Sequence, residues 1–247
     1  MAMRLLQMST LASAELVADW VEQHLDDVTH KRASGALLLP TGATPLPLYS
    51  ELRKRAHADG LDLEAWRSFN LDEFWPFDVQ HPASFYGFMQ REFFDPARIP
   101  AQHIGFLSGA CKKQDLIAHC DSYERDIVAA GGIALAIVGV GTNGHLAFNE
   151  PGTPLDSRTR LVKLSSSTRE RPGFPGGLNG PQQALTVGLA TILDAQHIVV
   201  LAHGQAKAKA VFAMMHGEPS LDWPATCLQD HANVTVLADD DACALLP

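Results

Sequence analysis

The sequence predicts an α/β fold, with a doubly wound, mostly parallel sheet and helices on both of its faces. Short apolar runs, typical of strands buried on both faces, alternate about six times with segments of helical periodicity. Three of these runs end in segments rich in turn-forming and polar residues, as strands that carry a ligand site do. The 247 residues contain no linker-like or repeated segment, so we expect one domain over residues 1–247.

The individual elements follow from their periodicity. A helix over 9–25 is predicted because Ser9 or Thr10 can cap it and its apolar residues share one broad face. Further helices are predicted over 47–58, 84–94, 115–130, 184–193 and 204–216. Buried strands are predicted over 35–40, 66–71, 134–140, 198–202 and 234–237, and an exposed or edge strand over 157–164. The Gly- and Pro-rich segment 168–183 is predicted to be a loop that acts as a mobile lid.

Composition excludes several classes of protein. The net charge of −9 disfavours nucleic-acid binding, although it leaves room for a small anionic ligand. No apolar run is long enough to cross a bilayer and the first twenty residues lack a secretory core, so we expect a cytoplasmic protein without a membrane partner. The cysteines show no CxxC spacing, which argues against a zinc site and against a disulfide framework; they are Cys111, Cys120, Cys227 and Cys243.

Two segments are candidates for binding an anion. The loop containing Thr41, Gly42, Ala43 and Thr44 lies between a predicted strand and a predicted helix, where backbone N–H groups and the helix dipole favour phosphate. An ordinary βα turn explains the same residues equally well. Lys207 lies in the first turn of another predicted helix, a position that is unfavourable for a cation unless an anion is nearby. A solvated lysine is the alternative.

Two adjacent carboxylates, Asp72 and Glu73, follow the strand predicted over 66–71. Their aromatic neighbours favour a perturbed pKa, so one of the two is a candidate general base. The alternative is that Asp72 caps a turn and Glu73 is solvated.

The stretch 134–152 carries the strongest functional signal. A buried strand ends in a Gly-rich turn that contains Asn143 and His145, and Glu150 follows five residues after the histidine. This spacing allows the loop to bring the carboxylate back towards the imidazole. A histidine held by structural hydrogen bonds is the alternative.

Together, the segments PTGATPLPLY, FNLDEF, HPASF and GVGTNGHLAFNEPGTPLDSRTR resemble the glucosamine-6-phosphate deaminase (isomerising) family. ALTVG, Lys207 in GQAKA and the closing CLQDHANVTVL fit the same family, so the resemblance covers most of the chain. The related 6-phosphogluconolactonases share a Gly-rich loop but continue differently after the histidine. The resemblance implies a NagB-like fold and conversion of glucosamine 6-phosphate to fructose 6-phosphate and ammonia, with no cofactor and no metal.

By the same resemblance, Asp72 is the base that moves a proton between C2 and C1 of the sugar. His145 assists ring opening, and Glu150 orients the imidazole and raises its basicity. Gly42, Ala43 and Thr44 hold the phosphate with Lys207. Arg171 is the arginine that we expect to assist them.

This chain departs from the family pattern at several positions. Asn143 replaces a common Asp, so the ring-opening pair is expected to rest on Glu150 alone. Phe74 and Phe85 replace frequent tyrosines, and Ala43 replaces a second glycine. These departures leave galactosamine 6-phosphate as a close alternative substrate.

Two alternative functions, the oligomeric state and one regulatory question remain open at this point. The chain is alternatively a 6-phosphogluconolactonase-type hydrolase or an inert sugar-phosphate sensor, and the sequence leaves a homo-oligomer open. Allosteric family members bind an acetylated sugar phosphate near SRTR. Arg160 is present here, but Val162 and Lys163 depart from that pattern, so we predict no such activation.

Overall fold

The computed structural model of the protein describes residues 3–63, 65–170, 174–176 and 180–247. The strands are β1 (Arg4–Gln7), β2 (Ala36–Leu39), β3 (Ser68–Asn70), β4 (Asp72–Trp75), β5 (Ile104–Gly105), β6 (Ile133–Gly139), β7 (Arg160–Lys163), β8 (Gln183–Thr186), β9 (His197–Ala202) and β10 (Val234–Ala238). The α-helices are α1 (Thr10–Thr29), α2 (Leu46–Lys54), α3 (Phe85–Met89), α4 (Asp95–Ala97), α5 (Leu116–Ala129), α6 (Ser166–Glu170), α7 (Leu189–Leu193) and α8 (Ala208–His216).

Seven strands form one parallel sheet in the order β1-β10-β9-β6-β2-β3-β5. β2 and β6 lie at its centre, and their residues are almost completely buried because helices cover both faces. Alternate residues of β2 enter different cores: Leu37 and Leu39 pack with α1 and α2, whereas Ala36 and Leu38 pack with α5, α7 and α8. The predicted α/β fold class is therefore confirmed.

A second, three-stranded antiparallel sheet has the order β4-β8-β7. The prediction of an edge strand near 157–164 is confirmed by β7. The prediction of one helix over 184–193 is wrong in its first half, because 183–186 is β8 and only Leu189–Leu193 is helical. Pairing with strands on both sides determines the conformation of β8, and local periodicity does not reveal such pairing.

The remaining elements agree closely with the predicted ones. The helices predicted over 47–58 and 84–94 each end in a π-helical turn, Arg55–Asp59 and Gln90–Phe94. The short strands β1, β4 and β5 were not predicted as strands. The predicted lid begins inside α6, and its residues 171–173 and 177–179 lie outside the described residues, so its mobility stays a prediction.

The residues that the structure describes show neither a membrane-spanning helix nor a cluster of metal ligands. None of the helices there combines the length and the apolar character needed to span a bilayer. The same residues contain no group of three or more His, Cys, Asp or Glu side chains arranged to hold a metal ion.

Candidate active site

The candidate site lies where the carboxyl ends of β2 and β6 meet. From these two strands the chain order runs outward in opposite directions, and such a switch in an open α/β sheet leaves a crevice for a ligand. A cavity of about 560 Å³ opens there. Its lining includes most of the predicted site residues: Thr41, Gly42, Ala43, Thr44, Asp72, His145 and Lys207.

The loop after β2 presents its backbone to this cavity. Gly42 has a φ of +89°, a left-handed conformation that glycine adopts without strain. No N–H group between residues 41 and 44 donates a hydrogen bond to another group in the described part of the chain. Because α2 starts directly afterwards, these N–H groups and the positive end of its dipole can bind an anion together.

Lys207 reaches the same cavity from the opposite half of the large sheet. It precedes α8 at the end of a 3₁₀ turn, and its backbone N–H bonds the carbonyl of Gly204. Asp239 fixes this turn, because both of its carboxylate oxygens accept the Gly204 N–H at 2.9 and 3.0 Å. Lys207 therefore lies on a turn that Asp239, directly after the end of β10, holds in place.

Asp72 and Glu73 have different environments although they are adjacent in β4. Asp72 lines the cavity and is 8% exposed. Glu73 is 1% exposed and accepts hydrogen bonds from Phe74 N–H, Ser84 Oγ, Phe85 N–H and Tyr86 N–H at 2.8 to 2.9 Å. Burial raises the pKa of Glu73, while these hydrogen bonds oppose the rise. Glu73 thus fixes the start of α3, and Asp72 is the carboxylate placed to meet a ligand.

Asn143 contacts the imidazole of His145 directly. Its Oδ1 lies 2.6 Å from His145 Nδ1 and also accepts the His145 backbone N–H at 3.3 Å. Its Nδ2 donates to Glu150 Oε2 at 2.8 Å. A carboxylate oxygen can only accept, so this amide orientation is fixed and assigns the proton of the neutral imidazole to Nδ1. Nε2 is then the proton-accepting nitrogen of the ring.

This arrangement differs from the expected pair of His145 and Glu150. His145 Nδ1 and Glu150 Oε2 are 3.9 Å apart, too far for a hydrogen bond. The amide of Asn143 fills the gap and connects them, so the imidazole does not rest on Glu150 alone. An aspartate at this position could not donate to Glu150, and it would place two carboxylates side by side.

The backbone under the imidazole is glycine for a steric reason. A Cβ atom on Gly141 would lie 2.1 Å from the ring atoms of His145, so any other residue would displace the ring. The Gly141 N–H bonds the His145 carbonyl at 2.8 Å and closes this turn. Ala147, which also lines the cavity, has a φ of 51°, a strained conformation for alanine.

Glu150 is itself held by hydroxyl groups that the sequence analysis did not connect with the site. Ser165 Oγ, at 3.2 Å, and Thr168 Oγ1 both donate to Glu150 Oε1. Both residues lie near α6, fifteen or more positions later in the chain. The run of serines and threonines at 165–168 was the only sequence signal for these donors.

The arginines considered in the sequence analysis have different outcomes. Arg160 turns inward: its Nη1 donates to Asn149 Oδ1 at 2.9 Å and so supports the loop before Glu150. Desolvation lowers the pKa of Arg160. Arg171 lies outside the described residues, so its expected contact with phosphate stays a prediction.

Aromatic side chains form one wall of the site. Phe85 and Phe148 line the cavity, and both pack against Phe74 with ring centroids 4.5 and 5.7 Å away. Phe85 therefore presents an apolar edge to a ligand.

Comparison with known proteins gives consistent results. A family model described as glucosamine-6-phosphate isomerases/6-phosphogluconolactonase matches residues 9–237. The chain is 39% identical over 238 residues to a glucosamine-6-phosphate deaminase of Porphyromonas gingivalis, covering 93% of this chain and 90% of that one. It is also 39% identical over 234 residues to a glucosamine-6-phosphate deaminase of Pseudarthrobacter chlorophenolicus, covering 94% and 88%.

Solved structures agree on the fold. A monomeric glucosamine-6-phosphate deaminase superposes with a TM-score of 0.89 at 30% identity, covering 98% of this chain and all of the other. The 6-phosphogluconolactonase of Trypanosoma cruzi superposes with a TM-score of 0.79 at 18% identity, covering 99% and 97%, and this likeness concerns the fold alone.

Proposed function

Because the chain belongs to the family of glucosamine-6-phosphate isomerases and 6-phosphogluconolactonases, we propose that it is an isomerising deaminase. Its substrate is glucosamine 6-phosphate, and its products are fructose 6-phosphate and ammonia. The single observation that carries the proposal is the shared cavity, in which a carboxylate, an imidazole and an anion-binding loop face the same space. A cytoplasmic location and the absence of cofactor, metal, nucleic-acid and membrane partners belong to the proposal.

The phosphate is bound first and supplies the binding energy that positions the sugar. The N–H groups of 42–44 and the Lys207 cation provide donors without any movement of a strand. Binding energy gained at this remote group is available to orient the reacting carbons.

His145 then opens the sugar ring. With its Nδ1 proton donated to Asn143, the Nε2 atom accepts the proton of the anomeric hydroxyl and returns it to the ring oxygen. Glu150, bonded to the same amide, favours the imidazolium that forms during this transfer.

Asp72 acts on the open chain. Its carboxylate removes the proton from C2 and delivers it to C1. The aldehyde oxygen takes up one proton and the amine nitrogen releases one in the same rearrangement, which leaves a C1 hydroxyl and a C2 imine. Water adds to this imine, ammonia leaves and the ketose remains. Every step is a proton transfer or a hydration, so no redox group is consumed.

Two alternatives remain attached to the proposal. Galactosamine 6-phosphate differs only at C4, and the apolar edge of Phe85 offers no hydroxyl to choose between the epimers. Lactone hydrolysis has little support, because it involves no proton transfer at C2 and would give the Asp72 carboxylate no role in proton transfer between carbons.

The test is ammonia release by the purified protein from glucosamine 6-phosphate and, separately, from galactosamine 6-phosphate. We expect release without added cofactor or metal, faster from the gluco epimer. Asp72→Asn protein is the control for contaminating activity. Hydrolysis of 6-phosphogluconolactone with silence on both amino sugars would overturn the proposal.

A further inference from the structure

The two carboxylate oxygens of Glu150 have different partners: Oε1 is held by hydroxyl groups, and Oε2 contacts Asn143. Oε1 accepts the hydroxyls of Ser165 and Thr168, whereas Oε2 accepts Nδ2 of Asn143 at 2.8 Å. Thr168 is 4% exposed, so water does not replace its hydroxyl readily. The carboxylate therefore connects a buried hydroxyl on α6 with the amide that contacts the imidazole.

The start of α6 is locked to the same carboxylate. Ser165 Oγ accepts the Thr168 N–H at 3.2 Å while it donates to Glu150, and the Ser165 carbonyl accepts the Arg169 N–H at 3.2 Å. The first of these bonds is that of a helix N-cap. The two hydroxyls consequently act as one rigid pair of donors.

We propose that Thr168 is a positioning residue for the acid–base chemistry of His145. It acts through Glu150 and Asn143, and the inference rests on the proposed deaminase function. The Thr168 hydroxyl fixes the rotamer of Glu150, and this rotamer places Oε2 against Asn143 Nδ2. The amide can then present only its oxygen to the imidazole, which keeps the proton on Nδ1.

Loss of the Thr168 hydroxyl should change the tautomer of His145 through the amide of Asn143. Ser165 alone then holds Oε1 of Glu150, so the carboxylate can turn away, and the amide orientation rests on the 3.3 Å bond from the His145 backbone N–H to Asn143 Oδ1. A flipped amide presents N–H to Nδ1, which stabilises the opposite tautomer with the proton on Nε2. In that tautomer Nε2 cannot accept the proton of the anomeric hydroxyl.

Thr153, a second threonine that contacts Glu150, provides a matched control. Thr153 Oγ1 donates to the backbone carbonyl of Glu150 at 2.7 Å, and Thr153 is 8% exposed. It is the same residue type as Thr168 and is similarly buried, but its hydroxyl bonds the main-chain carbonyl of Glu150 and not the carboxylate. Replacing it tests whether any lost threonine hydroxyl near Glu150 has the same effect.

The kinetic test compares Thr168→Val, Thr168→Ser and Thr153→Val. We expect Thr168→Val to lower kcat about tenfold, the loss typical of a hydrogen bond to a charged group. KM should change by less than about twofold, because the phosphate contacts are intact. Thr168→Ser should restore kcat, and Thr153→Val should leave it unchanged. Wild-type kcat in Thr168→Val, or an equal loss in Thr153→Val, would overturn the inference.

A second readout does not depend on activity. Long-range ¹H–¹⁵N spectra report which imidazole nitrogen carries the proton, and His145→Gln identifies the signals of His145. We expect the Nδ1–H tautomer in the wild type and in Thr168→Ser, and a mixture of tautomers in Thr168→Val. An inactive wild type with this tautomer shift would refute the deaminase and support the positioning role. An active wild type with unchanged tautomers in Thr168→Val would refute the positioning role alone.

Discussion

The two sides of the cavity are built from different parts of the chain. On the phosphate side, the loop 40–45 offers mainly backbone N–H groups, which no side-chain substitution removes. On the other side, Asn143, His145 and Glu150 form a chain of side-chain hydrogen bonds in which each group fixes the next. Side-chain substitutions within the loop 40–45 should therefore affect recognition little, whereas substitutions among Asn143, His145 and Glu150 should impair the acid–base chemistry, and kcat and KM should separate accordingly.

The largest expected effect comes from the carboxylate that faces the cavity. Asp72→Asn keeps the shape of the side chain and removes the base, so we expect kcat to fall by roughly 10³-fold. The affinity for fructose 6-phosphate, measured by calorimetry, should stay within about twofold because the phosphate side is unchanged. Retained turnover would remove Asp72 from its role and end the proposed division between the two sides.

A smaller effect is expected from Lys207, the charged side chain that the described part of the chain contributes to the phosphate side. Lys207→Met should raise KM by roughly ten- to a hundredfold with little change in kcat, since a hydrogen bond from a cation to phosphate contributes about 1.5–3 kcal/mol. Lys209→Met is the control, because Lys209 is exposed two residues later on α8. A loss that appears only in kcat would place Lys207 on the chemical side.

The smallest expected effect is on stability and concerns Glu73, the buried neighbour of Asp72. Burial raises the pKa of Glu73, so the folded protein binds its proton more tightly than the unfolded chain does. The stability that this proton contributes is fully present below the unfolded pKa of about 4.3, and it is lost as the pH rises through the folded pKa. The free energy of unfolding of the wild type minus that of Glu73→Gln should therefore decrease as the pH rises from the unfolded pKa.

Urea unfolding across this pH range measures the difference. Glu218→Gln serves as the control, because Glu218 is exposed and its replacement should give a pH-independent difference. A Glu73→Gln difference that increases with pH would show that the hydrogen bonds to Glu73 outweigh its desolvation.

Sequence reasoning succeeded where the determining interactions are local. The central strand, its Gly-rich turn and the polar residues after it lie within twenty positions, so this part of the site could be predicted. The alternation of apolar runs and helical segments is local as well, so the fold class could also be predicted. The residue pattern alone did not choose between Asp72 and Glu73, and only the family resemblance favoured Asp72. Three of the four donors that surround Glu73 come from the N-cap and the first turn of α3, more than ten residues later.

The same reason explains the other differences. β8 lies between β4 and β7, and neither partner adjoins it closely in sequence. Asn143 was interpreted as a lost charge, whereas its two-sided amide connects His145 with Glu150. The sequence predicts a loop at Thr168, whereas Thr168 lies in α6 and donates to Glu150, eighteen residues earlier in the chain.

The position of β1 in the large sheet has a consequence for synthesis of the protein. In the part of the chain that the structure describes, β1 is an edge strand that pairs with β10 alone, and Arg4 pairs with Thr235. On a ribosome, β1 emerges before β10 and therefore joins the sheet only after β10 has been synthesised. Until then β9 has one open edge, and a nascent chain with such an edge is exposed to mispairing with other chains. Completion of the sheet is a late event that follows release of β10, whatever the speed at which its central strands assemble.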